Sequence, residues 1–312
     1  MTAPICLTQT PTARLRTGLG ILLTTLLNNT VALTCLVILL PLAGCATNQE
    51  RAVDAWRPPP GYVTVDRFEL IREAADHEAL YTLAGGLKPM SNGIWRGSFD
   101  VENLDLTELR DVRHALGPLR NDVWYADVQV FDNADDGERQ AQGFVVHRDS
   151  LARMIKRLES FWSPWGITPC THPAEIVAIV DRMPRADRWR GYGHLYGYPD
   201  EAVDFFVEAG LAAADGGEMG PGKDREFKQI PTYVAPTGRF TYAVPLDHVP
   251  TTVDRALADR AGRILAAYEE RRLEMDDADD MVELLLRLNA RFERLSIIER
   301  TPTDERTVVS PQ

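Results

Sequence analysis

Residues 17–43, TGLGILLTTLLNNTVALTCLVILLPLA, decide which part of this chain folds as a globular body. The stretch is apolar apart from its threonines and the pair Asn28–Asn29. Ahead of it stand two positive charges, Arg14 and Arg16, and no acidic residue occurs before Glu50. A basic start, an apolar run and small residues at its exit make an export signal, which is removed and takes no part in the mature fold. On this reading residues 1–44 are a leader, and the fold belongs to the chain from Cys45 onward.

The run ends Leu42-Ala43-Gly44-Cys45. These four residues, in this position, resemble the lipobox of bacterial lipoproteins. The resemblance implies that the Cys45 thiol carries a diacylglyceryl group, that cleavage precedes it, and that Cys45 becomes an acylated N-terminus. Two or three acyl chains hold stably to a bilayer where one holds only weakly. The residue after the cysteine is Ala46, not Asp, which resembles the class sent to the outer membrane, facing the periplasm, where two membranes exist. With one membrane, the outer face of the cytoplasmic membrane is implied. Two other readings compete. About 20 apolar residues span a bilayer, so the segment could stay as a transmembrane helix, with Asn28 and Asn29 unfavourably placed near its middle. It could also be a buried core helix with a chance LAGC.

Losing the leader, with Arg14 and Arg16, takes the formal net charge from −12 to −14. Nucleic acid demands a basic footprint, so no nucleic-acid partner is expected. The expected partners are the membrane, through lipid on Cys45, and a protein or small-molecule ligand of unknown identity. Cys6 and Cys35 leave with the leader, and Cys170 is the cysteine then left beside Cys45. Stability is therefore expected from core packing rather than from a disulfide framework, with Cys170 as a buried thiol.

Residues 45–63 read as a lipidated N-terminus and a tether stiffened by the prolines at 58–60. Residues 64–300 are expected to form one α+β domain, with 64–165 and 166–300 as optional subdomains and a disordered tail from 301. Small antiparallel sheet elements are packed by amphipathic helices, and the C-terminal half is helix-rich. One helix is expected over 65–84, with Phe68, Ile71, Ala75, Leu80 and Leu83 near one face and Gly85-Gly86 ending it. Alternation predicts strands in GIWRGSFDV, DVWYADVQVFD and AQGFVVH, the last two joined by a turn at Asp136-Gly137. A helix capped by Asp149 or Ser150 carries the stripe Leu151, Met154, Ile155, Leu158, Phe161 and Trp162. Further helices are expected from 173, a second hairpin turned at 236–238, and two long terminal helices. The first of those has Val253, Leu257, Ala261, Ile264, Leu265 and Tyr268 on its core face. The second has Met281, Leu285, Leu288, Phe292 and Leu295, with Asp276 or Asp277 as its cap.

Several motifs attract attention and fail on their chemistry. GEMGPGKD, residues 217–224, nearly spells a phosphate loop, but Asp224 stands where a hydroxyl should hold magnesium. GYGHLYG has the spacing GxGxxxG rather than the dinucleotide GxGxxG, and a helix C-terminus at Gly197 accounts for it better. DNADDGERQAQG, from Asp132, has Gly143 where a calcium loop needs a bidentate Glu. The triplet Asp76-His77-Glu78 reads as solvated. The six histidines are scattered, without HxxxH or HExxH, and no GxSxG or SxxK occurs. Hence no catalytic residue, metal ligand or cofactor is assigned.

What remains is the segment 189–198. Trp189, Tyr192, His194 and Tyr196 bring aromatic and titratable density to one short helix, the composition of a ligand-pocket wall. The expected function is a membrane-anchored envelope lipoprotein with an acidic domain of binding or scaffolding type. The alternative is a hydrolase-like envelope enzyme with His194 and a nearby tyrosine in its site.

Overall fold

The structure is a computed structural model that describes residues 56–214, 225–234 and 240–300. The leader with Cys45, the 217–224 loop, the 236–238 turn and the tail from 301 lie outside the described residues. The described residues from Pro58 onward form one compact unit.

Asp66 caps the first helix, α1 (Arg67–Asp76), by accepting from the Glu69 N–H. Leu70, Ile71, Ala74 and Ala75 bury its inner face. The expected single helix over 65–84 is interrupted after Asp76 and resumes only as the short α2 (Leu80–Leu83). The interruption falls where two carboxylates are drawn to different partners. Asp76, 5 % exposed, accepts from Arg272 Nε at 2.8 Å and from the Tyr268 hydroxyl at 2.8 Å. Glu78 accepts from the fully buried Lys88 ammonium at 2.8 Å. The triplet is therefore an anchor for two cations rather than a solvated stretch.

Strand β1 (Met90–Asp100), helix α3 (Thr107–Ala115), and strands β2 (Trp124–Asp135) and β3 (Glu138–His147) come next along the chain. The strands form an antiparallel sheet in the order β1-β3-β2. Asp136 and Gly137 turn the β2–β3 hairpin with φ of 48° and 81°, the two positive values its tight turn demands. Period-two alternation on β3 sends Val145 to one apolar cluster and Phe144 and Val146 to another. The sheet thus carries core on both faces.

Helix α4 (Arg148–Arg157) is capped by the His147 ring, whose Nδ1 accepts from the Ser150 N–H at 3.1 Å, not by Asp149 or Ser150. It breaks at Leu158 before the short α5 (Glu159–Trp162), although Leu151, Met154, Ile155 and Trp162 are buried as the stripe predicts. Helix α6 (Pro173–Arg182) begins on His172, which accepts from the Ala174 N–H. Cys170, in the turn before it, is exposed and disulfide-bonded rather than a buried thiol.

Helices α7 (Arg185–Leu195) and α8 (Asp200–Ala214) form a hairpin of helices. Gly197, φ 72°, closes α7, and the N–H groups of Gly197 and Tyr198 return to the carbonyls of His194 and Gly193. A side chain at Gly197 would meet the backbone of Leu87 and Lys88 at 3.1 Å. Strands β4 (Arg225–Ile230) and β5 (Phe240–Pro245) pair antiparallel as a second, two-stranded sheet. Thr251 and Asp254 form a reciprocal capping box on α9 (Thr252–Arg272). Asp277 accepts from the N–H groups of Asp279 and Asp280 at the start of α10 (Ala278–Arg300). Val253 does not join the α9 core face: it sits in the first turn, 57 % exposed, while Ala261, Ile264 and Tyr268 are buried. This is an α+β fold of two small antiparallel sheets packed by helices.

Candidate ligand site

Residues at i, i+3 and i+7 of a helix share a face, and Trp189, Tyr192 and Tyr196 on and just beyond α7 have that spacing. They come together on one cavity of about 310 Å³. Helix α8 contributes Ala202, Val203 and Phe206 to its walls, and the β4–β5 hairpin contributes Phe227, Tyr242 and Ala243. The helices approach closely because Gly193 faces Val203 and Gly210 lies beneath the Trp189 ring, where a Cβ would stand 2.8 Å and 2.5 Å from them. Phe206 and Phe227, 39 % and 53 % exposed, mark the open side.

The rings are held from behind by their hydroxyls. Gln129 on β2 donates to the Tyr192 oxygen at 2.7 Å, and Asn92 on β1 donates to the Tyr196 oxygen at 2.5 Å. The Tyr242 hydroxyl donates to Asp254 at 2.6 Å. Tyr192 and Tyr196 lie stacked at 5.7 Å, and Trp189 meets Phe206 edge-on at 5.8 Å. Burial pushes the Tyr192 phenol up to about 12 and raises Tyr196, Tyr198 and Tyr242 as well. All four are therefore neutral near pH 7, and no charged side chain among the described residues lines the cavity. A wall of fixed rings without charge suits the stacking of a flat apolar body.

His194 does not join them. Two residues on from Tyr192 is about 200° around the helix, and its ring packs edge-on against Phe161 and Trp162, 5.4 Å and 6.5 Å away. Its Nδ1 stands 3.5 Å from Asp200 Oδ1, longer than a normal hydrogen bond. His194 and Arg157 beside it hold the Asp200 carboxyl well below the usual carboxylate range. The sequence-predicted residues thus divide, three on the cavity and one on the opposite face.

Two polar constellations were not visible in the sequence. Beneath the cavity, the Lys88 ammonium lies 4.7 Å from the Phe240 ring and 5.7 Å from the Tyr196 ring. Burial pushes Lys88 down, opposed by Glu78. Behind Tyr242, Asp254 also accepts from His248 Nε2 at 2.8 Å and from Thr251. Burial alone would raise that carboxyl, but the donors from Tyr242, Thr251 and His248 hold it well below the usual range. The pattern Thr251-x-x-Asp254 was the available signal, since it has the spacing of a capping box. Comparisons with protein-family models, with curated proteins and with solved structures returned no match.

Proposed function

We propose that this chain is a lipoprotein of the bacterial cell envelope, anchored through lipid on Cys45, whose acidic domain binds a small uncharged molecule bearing one or two rings. The anchor rests on LAGC at the exit of the apolar run. Its location derives from the lipobox resemblance: the outer membrane facing the periplasm in a two-membraned cell. The binding half is carried by one observation, the convergence of Trp189, Tyr192 and Tyr196 with Phe206 and Tyr242 on an uncharged cavity. About 310 Å³ is at the small-molecule end of ligand pockets. Catalysis of the hydrolase type would need His194 in the same cavity, and its ring faces away from it, so the geometry favours binding.

Labelled palmitate fed to cells expressing the protein should enter the wild type and be absent from Cys45→Ser, which should also keep the leader. Unlabelled wild type of full length would overturn the anchor. For the cavity, calorimetry with 2-naphthol should give saturable one-site binding that Phe206→Ala/Phe227→Ala weakens at least tenfold. Both residues are exposed at the mouth, so the melting temperature should barely move. Equal affinity in the two proteins would overturn the binding site.

A further inference from the structure

The opposite side of α7 borders a second, wider cavity of about 700 Å³, and its lining has an unusual charge. Arg153, Lys156 and Arg157 project into it from α4, and Arg260 from α9, with His194 on its wall. No Asp or Glu among the described residues lines it, in a chain with 46 acidic and 34 basic residues. Positions 153, 156 and 157 are i, i+3 and i+4, so their charges are stacked on one helix face, an arrangement that disfavours the helix by itself. The macrodipole of α4 accounts for Lys156 and Arg157 in its last turn. It does not account for Arg153 one turn earlier, nor for Arg260 arriving from another helix.

The polar contacts show how these cations are arranged. Arg157 forks onto Asp200, with Nη2 3.2 Å from Oδ1. Arg153 donates to the Ser150 hydroxyl at 2.9 Å and stands 3.8 Å from Glu293. Arg260 donates to the Gly85 carbonyl at 2.9 Å. Lys156 is exposed and makes no ion pair among the described residues. Two carboxylates outside the lining, Asp200 and Glu293, already take the place an anion would take against Arg157 and Arg153. His194, only 6 % exposed, has its Nδ1 facing Asp200 without a normal hydrogen bond.

We propose that this cleft binds a phosphate group, with Lys156, Arg153 and Arg157 as its ligands. Each guanidinium has five N–H donors, more than Asp200 and Glu293 use, and Lys156 adds a point charge. Several converging cations suit a phosphate monoester, of charge near −2, more than a diester of charge −1. The proposal is independent of the ring-binding cavity and of lipidation. The phosphate could belong to a soluble monoester or to a lipid headgroup, and both have water-soluble representatives.

The test is calorimetry on the full-length protein in an uncharged detergent at low salt. Inorganic phosphate and glycerol 3-phosphate represent monoesters, and glycerophosphoglycerol represents a diester headgroup. At least one should bind saturably, and Lys156→Glu should weaken that binding at least tenfold without lowering the melting temperature. Arg287→Glu, the same charge change at an exposed position outside the cleft, should leave it within twofold. Tighter binding of the monoesters assigns the cleft to a soluble phosphate ester, and tighter binding of the diester assigns it to a headgroup. The proposal is overturned if none of the three binds, or if the two variants weaken binding equally.

Discussion

Helix α7 and the turn after it present two chemically opposite faces, and they are supported in different ways. On one side, Tyr192 and Tyr196 are fixed by amides on the three-stranded sheet and enclose an uncharged cavity. On the other, His194 borders a cleft whose charged lining, among the described residues, is all cationic. Tyr198 lines both. Beneath the aromatic side lies a buried charge neutralised by a partner, Lys88 with Glu78. Beneath the cationic side lies a buried imidazole, His147, 1 % exposed, with Nε2 3.0 Å from Asn289 Oδ1. Burial pushes His147 down to about 4. On the aromatic side the ring hydroxyls and the buried charge are paired within the fold, while on the cationic side Arg153, Lys156 and Arg157 stand adjacent on one helix face, with Arg153 and Arg157 meeting carboxylates that lie outside the lining.

The largest effect should come from breaking the support of the aromatic side. Glu78→Ala leaves the Lys88 ammonium buried without its carboxylate and should cost about 3–5 kcal/mol in urea unfolding. Glu78→Leu/Lys88→Met, which removes both charges, should recover most of that loss. If the single and double variants are equally unstable, the ion pair is not what supports these rings.

Next in size is the acid response of the cationic side. The folded-state pKa of His147 lies below its unfolded value, so its contribution is complete above about pH 6.5 and is lost as pH falls towards about 4. A shift of that size corresponds to about 3 kcal/mol. Asn289 and Asp149 favour the proton, and Arg153 opposes it. Urea midpoints between pH 7 and pH 4 should therefore fall more steeply in the wild type than in His147→Gln. Parallel slopes would contradict a buried neutral imidazole.

The smallest effect sharpens the contrast. Lys156→Met removes one exposed charge from a face of like charges and should change stability by no more than about 0.5 kcal/mol, in the stabilising direction. A clear loss on thermal unfolding would mean that Lys156 serves the fold.

Much of this architecture was legible in the sequence for simple reasons. Apolar periodicity marked most of the helices, Asp136-Gly137 marked its hairpin, and Gly197 marked the end of α7. The break after Asp76 was not legible, because the apolar spacing runs unbroken from Phe68 to Leu83. At the break, Asp76 is bonded to Arg272, 196 residues away in the chain, a partner that local spacing cannot reveal. At the site, Trp189, Tyr192 and Tyr196 could be grouped by helical spacing. The same geometry excludes His194, which stands about 200° from Tyr192. Phe227 and Tyr242 could not have been added from sequence, since nothing local says that the β4–β5 hairpin closes over α7.

The central claim is that the rings of α7 form a ready-made cavity for a small flat molecule. A crystal structure of the protein with 2-naphthol tests it most directly. Ring density is expected between Trp189, Tyr196 and Phe206, with Tyr192 and Tyr196 still bonded to Gln129 and Asn92. A cavity closed by Phe206 or Phe227 in the unliganded crystal, with no naphthol inside after soaking, would contradict it.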